Sequence, residues 1–358
     1  MLVCVALACS ARTDIDPKPG EETEEEEDEE ELPDCTPVLE PRVEDCNRAA
    51  GDAVPLARLV GDGMHLAADD EFLYYASESR VFRLSMLGGE PEALTPGNSA
   101  GQDIKYADGF VYWTEDDVLY RVPATGGEAE ALLELAQGST WAVAGDAIFS
   151  AGPYVEPSAI HRTSIATGDT TEILAVEPEQ GVASIGIQGG LVLVSRANSL
   201  VSIPVDGGEP RPLHTSGGAS VGPAIVHGTD IYFQGRFPIS DHAYASGILR
   251  VDIDQPSGYE VFLRGWVPAF AIDDDALYAD LVPEPDGSGG KTHGRLVRAP
   301  LSGKAPAHLT DTSSYCQIGC TASPNGLIVS GCNVYFTDRC TDASRPSEYR
   351  IVTTSKVP

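Results

Sequence analysis

Cysteine, histidine and clustered carboxylates are the side chains of this chain whose spacing bears on chemistry. Six of the eight cysteines, Cys35, Cys46, Cys316, Cys320, Cys332 and Cys340, form an even and loosely spaced set. Such a set suits disulfides and lacks the paired Cys-x-x-Cys knuckles that hold zinc. The seven histidines are scattered, with no His-x-x-x-His pair to signal a metal. Two acidic turns, Asp69-Asp70-Glu71 and Asp273-Asp274-Asp275, offer oxygens to calcium. Neither has the Asp-x-Asp-x-Asp-Gly spacing, and turns favour Asp for their own reasons. No catalytic residue is assigned and no cofactor is expected, with calcium at such turns the one left open. A pair of glycosidase carboxylates stays open as well, because such partners meet in space rather than in sequence.

The elements that must position these residues are repeats. Each reads as an apolar strand, a small or acidic turn, a strand with aromatics, a strand carrying Arg, a Gly turn and a Leu-ending strand. The second strands are Leu73-Tyr74-Tyr75, Val111-Tyr112-Trp113, Ala147-Ile148-Phe149, Leu191-Val192-Leu193, Ile231-Tyr232-Phe233, Ala276-Leu277-Tyr278 and Val334-Tyr335-Phe336. The third strands align Arg83, Arg121, Arg162, Ser202, Arg250, Arg298 and Arg350, a period that suits propeller blades. One Arg per blade is repeated around a ring, which suits pairing between blades rather than a single site. Gly pairs such as Gly88-Gly89 and Gly207-Gly208 supply the backbone angles of tight hairpins.

The seventh repeat ends at Tyr349-Arg350-Ile351-Val352 without a fourth strand, while Ala53 to Leu59 is a lone fourth-type strand ahead of the first repeat. Joining the two closes a ring and removes exposed sheet edges. The expected fold is therefore all-β, a single seven-bladed β-propeller of four-stranded blades over 53–358, with six or eight blades as the alternatives. The expected state is a monomer.

The phase of the repeats assigns loops to faces. Strand entries near Asp62, Asp103, Thr140, Gln180, Ser220, Trp266 and Tyr315 share one face with the loops joining second and third strands. Only two of those entries are carboxylates and none is His, which is thin for a catalytic funnel. Long second-to-third loops, Gly235 to Ser246, Asp280 to Thr292 and Arg339 to Ser347, crowd that face in blades five to seven. They bring Arg236, Phe237, Asp241, His242, Tyr244, Asp286 and Arg345 to a candidate ligand surface for a polar partner. Cys332 and Cys340 flank one strand and should not pair with each other. Cys340 is expected to pair with Cys316 or Cys320, and Cys332 with Cys46, with Cys35 to Cys46 as the competitor.

Charge narrows the partners. The net charge is −32, and residues 10–45 hold 16 acids against three bases. No Lys or Arg stripe is present, so nucleic acid and anionic membrane surfaces are excluded as partners. Residues 1–9 read as the remnant of an export signal, too short to span a bilayer. Residues 10–34 read as an acidic disordered tether and 35–52 as a lead-in containing two cysteines. Ala6-Leu7-Ala8-Cys9 resembles the lipidation box of bacterial lipoproteins. That resemblance implies an exported envelope or secreted protein, with Cys9 lipidated and the membrane met only through that anchor.

Tyr112-Trp113-Thr114-Glu115 and Tyr335-Phe336-Thr337-Asp338 resemble the YWTD repeat of LDL-receptor class B propellers and related bacterial repeats. The resemblance extends over Ala53 to Val352 and implies an extracellular scaffold without intrinsic catalysis. The expected function is thus a non-catalytic binding scaffold at the cell envelope for a protein or polysaccharide. The alternative is a propeller hydrolase or lyase acting in the central funnel.

Overall fold

The computed structural model describes residues 53–59, 65–77, 80–96, 102–152, 159–176, 181–215, 221–240, 243–256, 258–282, 293–315, 326–340 and 348–356. They form seven four-stranded antiparallel sheets. Six sheets are built from consecutive strands, starting with Leu66–Ala68, Gln102–Ala107, Thr140–Ala144, Val182–Gln188, Ala224–His227 and Trp266–Ile272. The seventh takes Leu327–Ser330, Asn333–Cys340 and Glu348–Ser355 from the end of the chain and Val54–Leu59 from the start. Each innermost strand contacts its neighbours in chain order, and that of the seventh blade returns to the first. The ring is a seven-bladed propeller.

The closing strand runs antiparallel to Glu348–Ser355, with Ala57 opposite Ile351 and Leu59 opposite Tyr349. Leu56 and Leu59, each 1% exposed, join a core cluster with Leu73, Tyr75 and Leu84 of blade 1 and with Tyr335 and Ile351 of blade 7. The strand thereby completes one blade and packs against the next. Tyr335 Oη adds a hydrogen bond across the same seam to the carbonyl of Met86, at 3.1 Å. Lys356, just past the last strand, reaches back to Asp273 of blade 6 at 2.7 Å.

The aromatic second strands are core in every blade that carries them. Tyr74, Tyr112, Phe149, Tyr232, Tyr278 and Tyr335 are all at most 1% exposed. Opposite them on the third strands stand Arg83, Arg121, Arg162, Arg250 and Arg298. In blade 7 the sequence alignment slips: Tyr335 faces Thr353, and Arg350 faces Asp338. Thr353 therefore fills the position expected for Arg350, because the pattern of small polar residues in this last strand hides its register.

The recurring Arg is structural, although its partners lie mostly within its own blade rather than between blades. Arg83 meets Glu92 at 2.6 Å, Arg121 meets Glu130 at 2.7 Å and Arg250 meets Glu260 at 2.8 Å. Their glutamates are exposed, so each pair contributes at most about 1 kcal/mol. Arg83 alone of these also reaches the next blade, donating to the carbonyl of Ala124.

The two acidic turns are occupied by local bonding. Asp69 accepts the N–H groups of Glu71 and Phe72 and the hydroxyl of Tyr74 at 2.6 Å. Asp273 accepts the N–H groups of Asp275 and Ala276 together with Lys356. Both carboxyls sit below the ordinary range. Burial opposes that shift, and these hydrogen bonds outweigh it.

Two outcomes test the closure. Deleting residues 1–60 should leave aggregated material by size-exclusion chromatography, whereas deleting 1–34 should leave a soluble monomer. A folded, monomeric 61–358 fragment would sink the idea. Leu56→Ala should cost about 2–5 kcal/mol in urea unfolding, as for other buried leucines.

Candidate functional site

Seven short inner strands surround the axis, and their entries open on one face. That face holds a cavity of about 1490 Å³, lined from blades 1 to 6 and reaching out to second-to-third turns of blades 2 and 5. Its walls are mixed: His65, Asp103 and Lys105 on one side, Trp266, Val267 and Phe270 on another, Gln234, Arg236 and Tyr244 on a third.

His65, Asp103 and Lys105 converge from blades 1 and 2. His65 Nδ1 lies 3.6 Å from Asp103 Oδ1, and Lys105 Nζ lies 3.3 Å from Asp103 Oδ2. The same ammonium donates to the carbonyl of Trp141 and stands 4.3 Å from its ring centroid. Burial lowers the pKa of His65. Asp103 opposes that and Lys105 adds to it, so the imidazole is neutral at pH 7. The cluster can therefore accept a hydrogen bond or a proton at His65 and present a compensated carboxylate beside it.

Reading the entries from sequence missed His65. It directly precedes an inner strand of three residues, Leu66–Ala68, too short to mark its own beginning. The cue in the sequence is the pair Asp103-x-Lys105 on the next inner strand, two opposite charges on one face of a strand that ought to be apolar.

Blade 2 has a further peculiarity. The described non-glycine residues with positive φ are Asp103, Asp108, Asp116 and Asp117, all in this blade. Asp tolerates that region better than most residues, although glycine is the unstrained choice. Asp103, Asp116 and Asp117 all line the cavity.

The wall of blade 5 is a rigid arm. The segment Gly235 to Ser246, expected as a loop, mostly continues the ladder: Asp230–Ser240 pairs with Ala243–Asp252, with Arg236 opposite Ser246 and Phe237 opposite Ala245. Alternation then decides which side chains reach the ligand face. Arg236, Tyr244 and Ser246 line the cavity, and the Arg236 guanidinium lies 5.7 Å from the Tyr244 ring centroid. Phe237, expected on the ligand surface, is 3% exposed in the core of blades 4 and 5. The aromatic contact on this rim falls to Tyr244, 41% exposed.

At the base of the arm, blades 4, 5 and 6 are knitted by partly buried polar contacts. Ser195 Oγ donates to the carbonyl of Gly222 at 2.6 Å, and the Gly222 N–H donates to the carbonyl of Gln234 at 2.9 Å. Gln234 Nε2 donates in turn to the carbonyl of Val267. A Cβ at Gly222 would lie 2.5 Å from Gln234 Oε1, so glycine is needed for this approach.

Asp241, His242, Asp286 and Arg345 lie outside the described residues, as do Cys9, Cys35, Cys46, Cys316 and Cys320, the signal and the tether. Cys332 and Cys340 stand at opposite ends of the strand Asn333–Cys340. The stretch Gly97-Asn98-Ser99-Ala100-Gly101 spells Gly-x-Ser-x-Gly and is also outside the described residues. The nucleophile elbow needs a helix after that pattern, whereas here the strand Gln102–Ala107 follows.

No protein-family model matches the chain, and no curated protein matches it in sequence. Solved structures share its fold. An oligogalacturonate lyase from Vibrio parahaemolyticus aligns with a TM-score of 0.58 at 12% identity, over 85% of this chain and 98% of that one. Puromycin hydrolase aligns at 0.56 with 14% identity, over 82% of this chain and 52% of that one. The extracellular domain of a hybrid two component system from B. thetaiotaomicron aligns at 0.53 with 10% identity, over 84% and 39%. Identities this low establish the propeller and leave function to the site.

The electrostatics of His65 are measurable. The unfolded chain binds a proton there near its ordinary value, about 6.5, while the folded protein resists it. Stability from this group is present above about pH 6.5 and is lost as pH falls through the lowered folded pKa. His65→Gln should therefore flatten the decline of the urea midpoint below about pH 6.5. His214, also lowered by burial, keeps part of the slope. In NMR titrations Asp103→Asn should lower the pKa of His65 further, and an unchanged titration would contradict the pairing.

Proposed function

We propose that this chain is an exported binding scaffold that takes a protein segment or polysaccharide in the cavity on the strand-entry face. One observation carries the reading: a cavity of about 1490 Å³ with ionic, aromatic and apolar walls, edged by a rigid hairpin arm. Small-molecule sites are usually about 300–1,000 Å³, so the room suits an extended ligand. The arm supports the same reading, since Ile239 and Tyr244 are two of the four exposed large hydrophobics among the described residues. Exposed apolar groups beside a cleft mark interaction surfaces.

Export is part of the proposal, with Cys9 as the lipidated anchor and the acidic stretch as its tether. The two YWTD-like tetrads support an extracellular setting. Disulfides belong here too, since an exported chain meets an oxidising compartment, and Cys332 is one of the cysteines expected to bond. Its place beside the start of the closing strand favours Cys46 as partner, and non-reducing peptide mapping would identify the bridge. No helix among the described residues is long and apolar enough to cross a membrane.

A second reading, a hydrolase or lyase, draws on the convergence of His65, Asp103 and Lys105 in the funnel. Its weakness is the commitment of Lys105 to Asp103 and the Trp141 carbonyl, which leaves that ammonium little freedom to stabilise a developing charge.

Screening oligosaccharides and peptides by tryptophan fluorescence should find ligands that Ser246→Trp, which puts a bulky ring on the blade 5 wall beside Arg236, no longer binds as wild type does. His65→Gln should leave such a ligand chemically intact and bound. If wild type converts it to product and His65→Gln does not, the enzyme reading replaces this one.

A further inference from the structure

The cavity is electrically divided. On blade 2 the turn between Phe110–Glu115 and Val118–Pro123 places Asp116 and Asp117 on its wall, both exposed. No described cation pairs with either. On blade 5 Arg236 stands on the wall, exposed, and no described carboxylate pairs with it. Its contact is the ring of Tyr244. Blades 3 and 4 separate the two poles one way round the ring and blades 6, 7 and 1 the other way, so the poles occupy opposite sides of the mouth. Next to the Arg236 pole, blades 5 and 6 add Trp266 and the mostly buried Val221, Val267 and Phe270 to the lining.

Each candidate ligand class meets these poles differently. A neutral glycan can hydrogen-bond to either pole but carries no charge to compensate either. A polyanion gains at Arg236 and is repelled at Asp116 and Asp117, in a protein whose net charge is already −32. A peptide carries an ammonium or guanidinium, a carboxylate and apolar side chains along one extended chain. Arg236 is suited to the carboxylate because a guanidinium binds it through two parallel hydrogen bonds.

We propose that the cavity binds an extended peptide segment, its cationic residue at Asp116 and Asp117 of blade 2 and its carboxylate at Arg236 of blade 5. The proposal rests on the cavity being the ligand site and specifies what it takes. Matching both poles fixes the direction of the bound segment and, through their separation, the spacing of its two charges. Peptides with the charges adjacent, or with one sign only, are therefore discriminated against.

The test is calorimetric titration of the full chain with capped peptides holding one Lys and one Glu. Gly-Ala spacers of increasing length, about 3.3 Å per added residue, vary the separation. One spacer length should bind best. Changing its Glu to Gln, or its Lys to norleucine, should each weaken binding by about tenfold, the scale of one charge-assisted contact. Arg236→Gln should lose the preference for Glu over Gln and keep the preference for Lys. Asp116→Asn with Asp117→Asn should do the reverse, and Asn tolerates the left-handed backbone there, so that variant folds.

Equal binding of all peptides, no binding of any, or an Arg236→Gln variant that still discriminates Glu from Gln would overturn the inference. Cellohexaose and polygalacturonate separate this failure from a failure of the site. If either binds and Ser246→Trp abolishes it while no peptide binds, the cavity is the site and its ligand is a glycan. If every ligand found binds Ser246→Trp as it binds wild type, the site itself is wrong.

Discussion

The antiparallel pairing of Val54–Leu59 with Glu348–Ser355 is the constraint on which the other features depend. A sheet that ends without a partner exposes a row of backbone donors and acceptors. In this ring the two exposed rows come from opposite ends of the chain and satisfy each other. Leu56 and Leu59 then bury against both neighbouring blades. Closure also sets the phase: with the first strand assigned to blade 7, every inner strand enters from one face. That common face brings His65, Asp103 and Trp266, far apart in sequence, to one cavity.

Much of this was legible from residue order because each blade repeats the same physical solution. Aromatic second strands mark the packed layer, and Gly at the third-to-fourth turn takes a backbone angle that other residues resist, as at Gly88 and Gly207. Closure by the terminal strand followed from counting strands. Three details escaped, each for a local reason. The register of the last strand slipped because Thr353 stands where five of the other blades carry Arg. The arm of blade 5 read as a loop because Gly235, Pro238 and Gly247 punctuate a ladder that in fact continues through them. His65 was passed over because the inner strand behind it is only three residues long.

The arm also shows why a residue list is weaker than a register. Arg236, Phe237 and Tyr244 were expected to act together as ligand contacts. Strand alternation divides them, sending Arg236 and Tyr244 to the cavity and Phe237 into the core beneath. Phe237 therefore contributes by fixing the arm, with the Arg264 guanidinium 5.4 Å from its ring centroid. Charge follows a similar division. The recurrent third-strand arginines are used up by their own blades, whereas Arg236 lies outside that pattern and is left for the cavity. Position within the repeat thus separates the structural cations of the third strands from Arg236 on the cavity wall.

Hydrogen exchange on the full chain tests the ring most directly. The account predicts that amides bonded between 54–59 and 348–355 exchange as slowly as those between the second and third strands of the other blades, opening only with global unfolding. Rapid exchange in both segments while the remaining blades stay protected would contradict closure, and with it the common face that places the cavity.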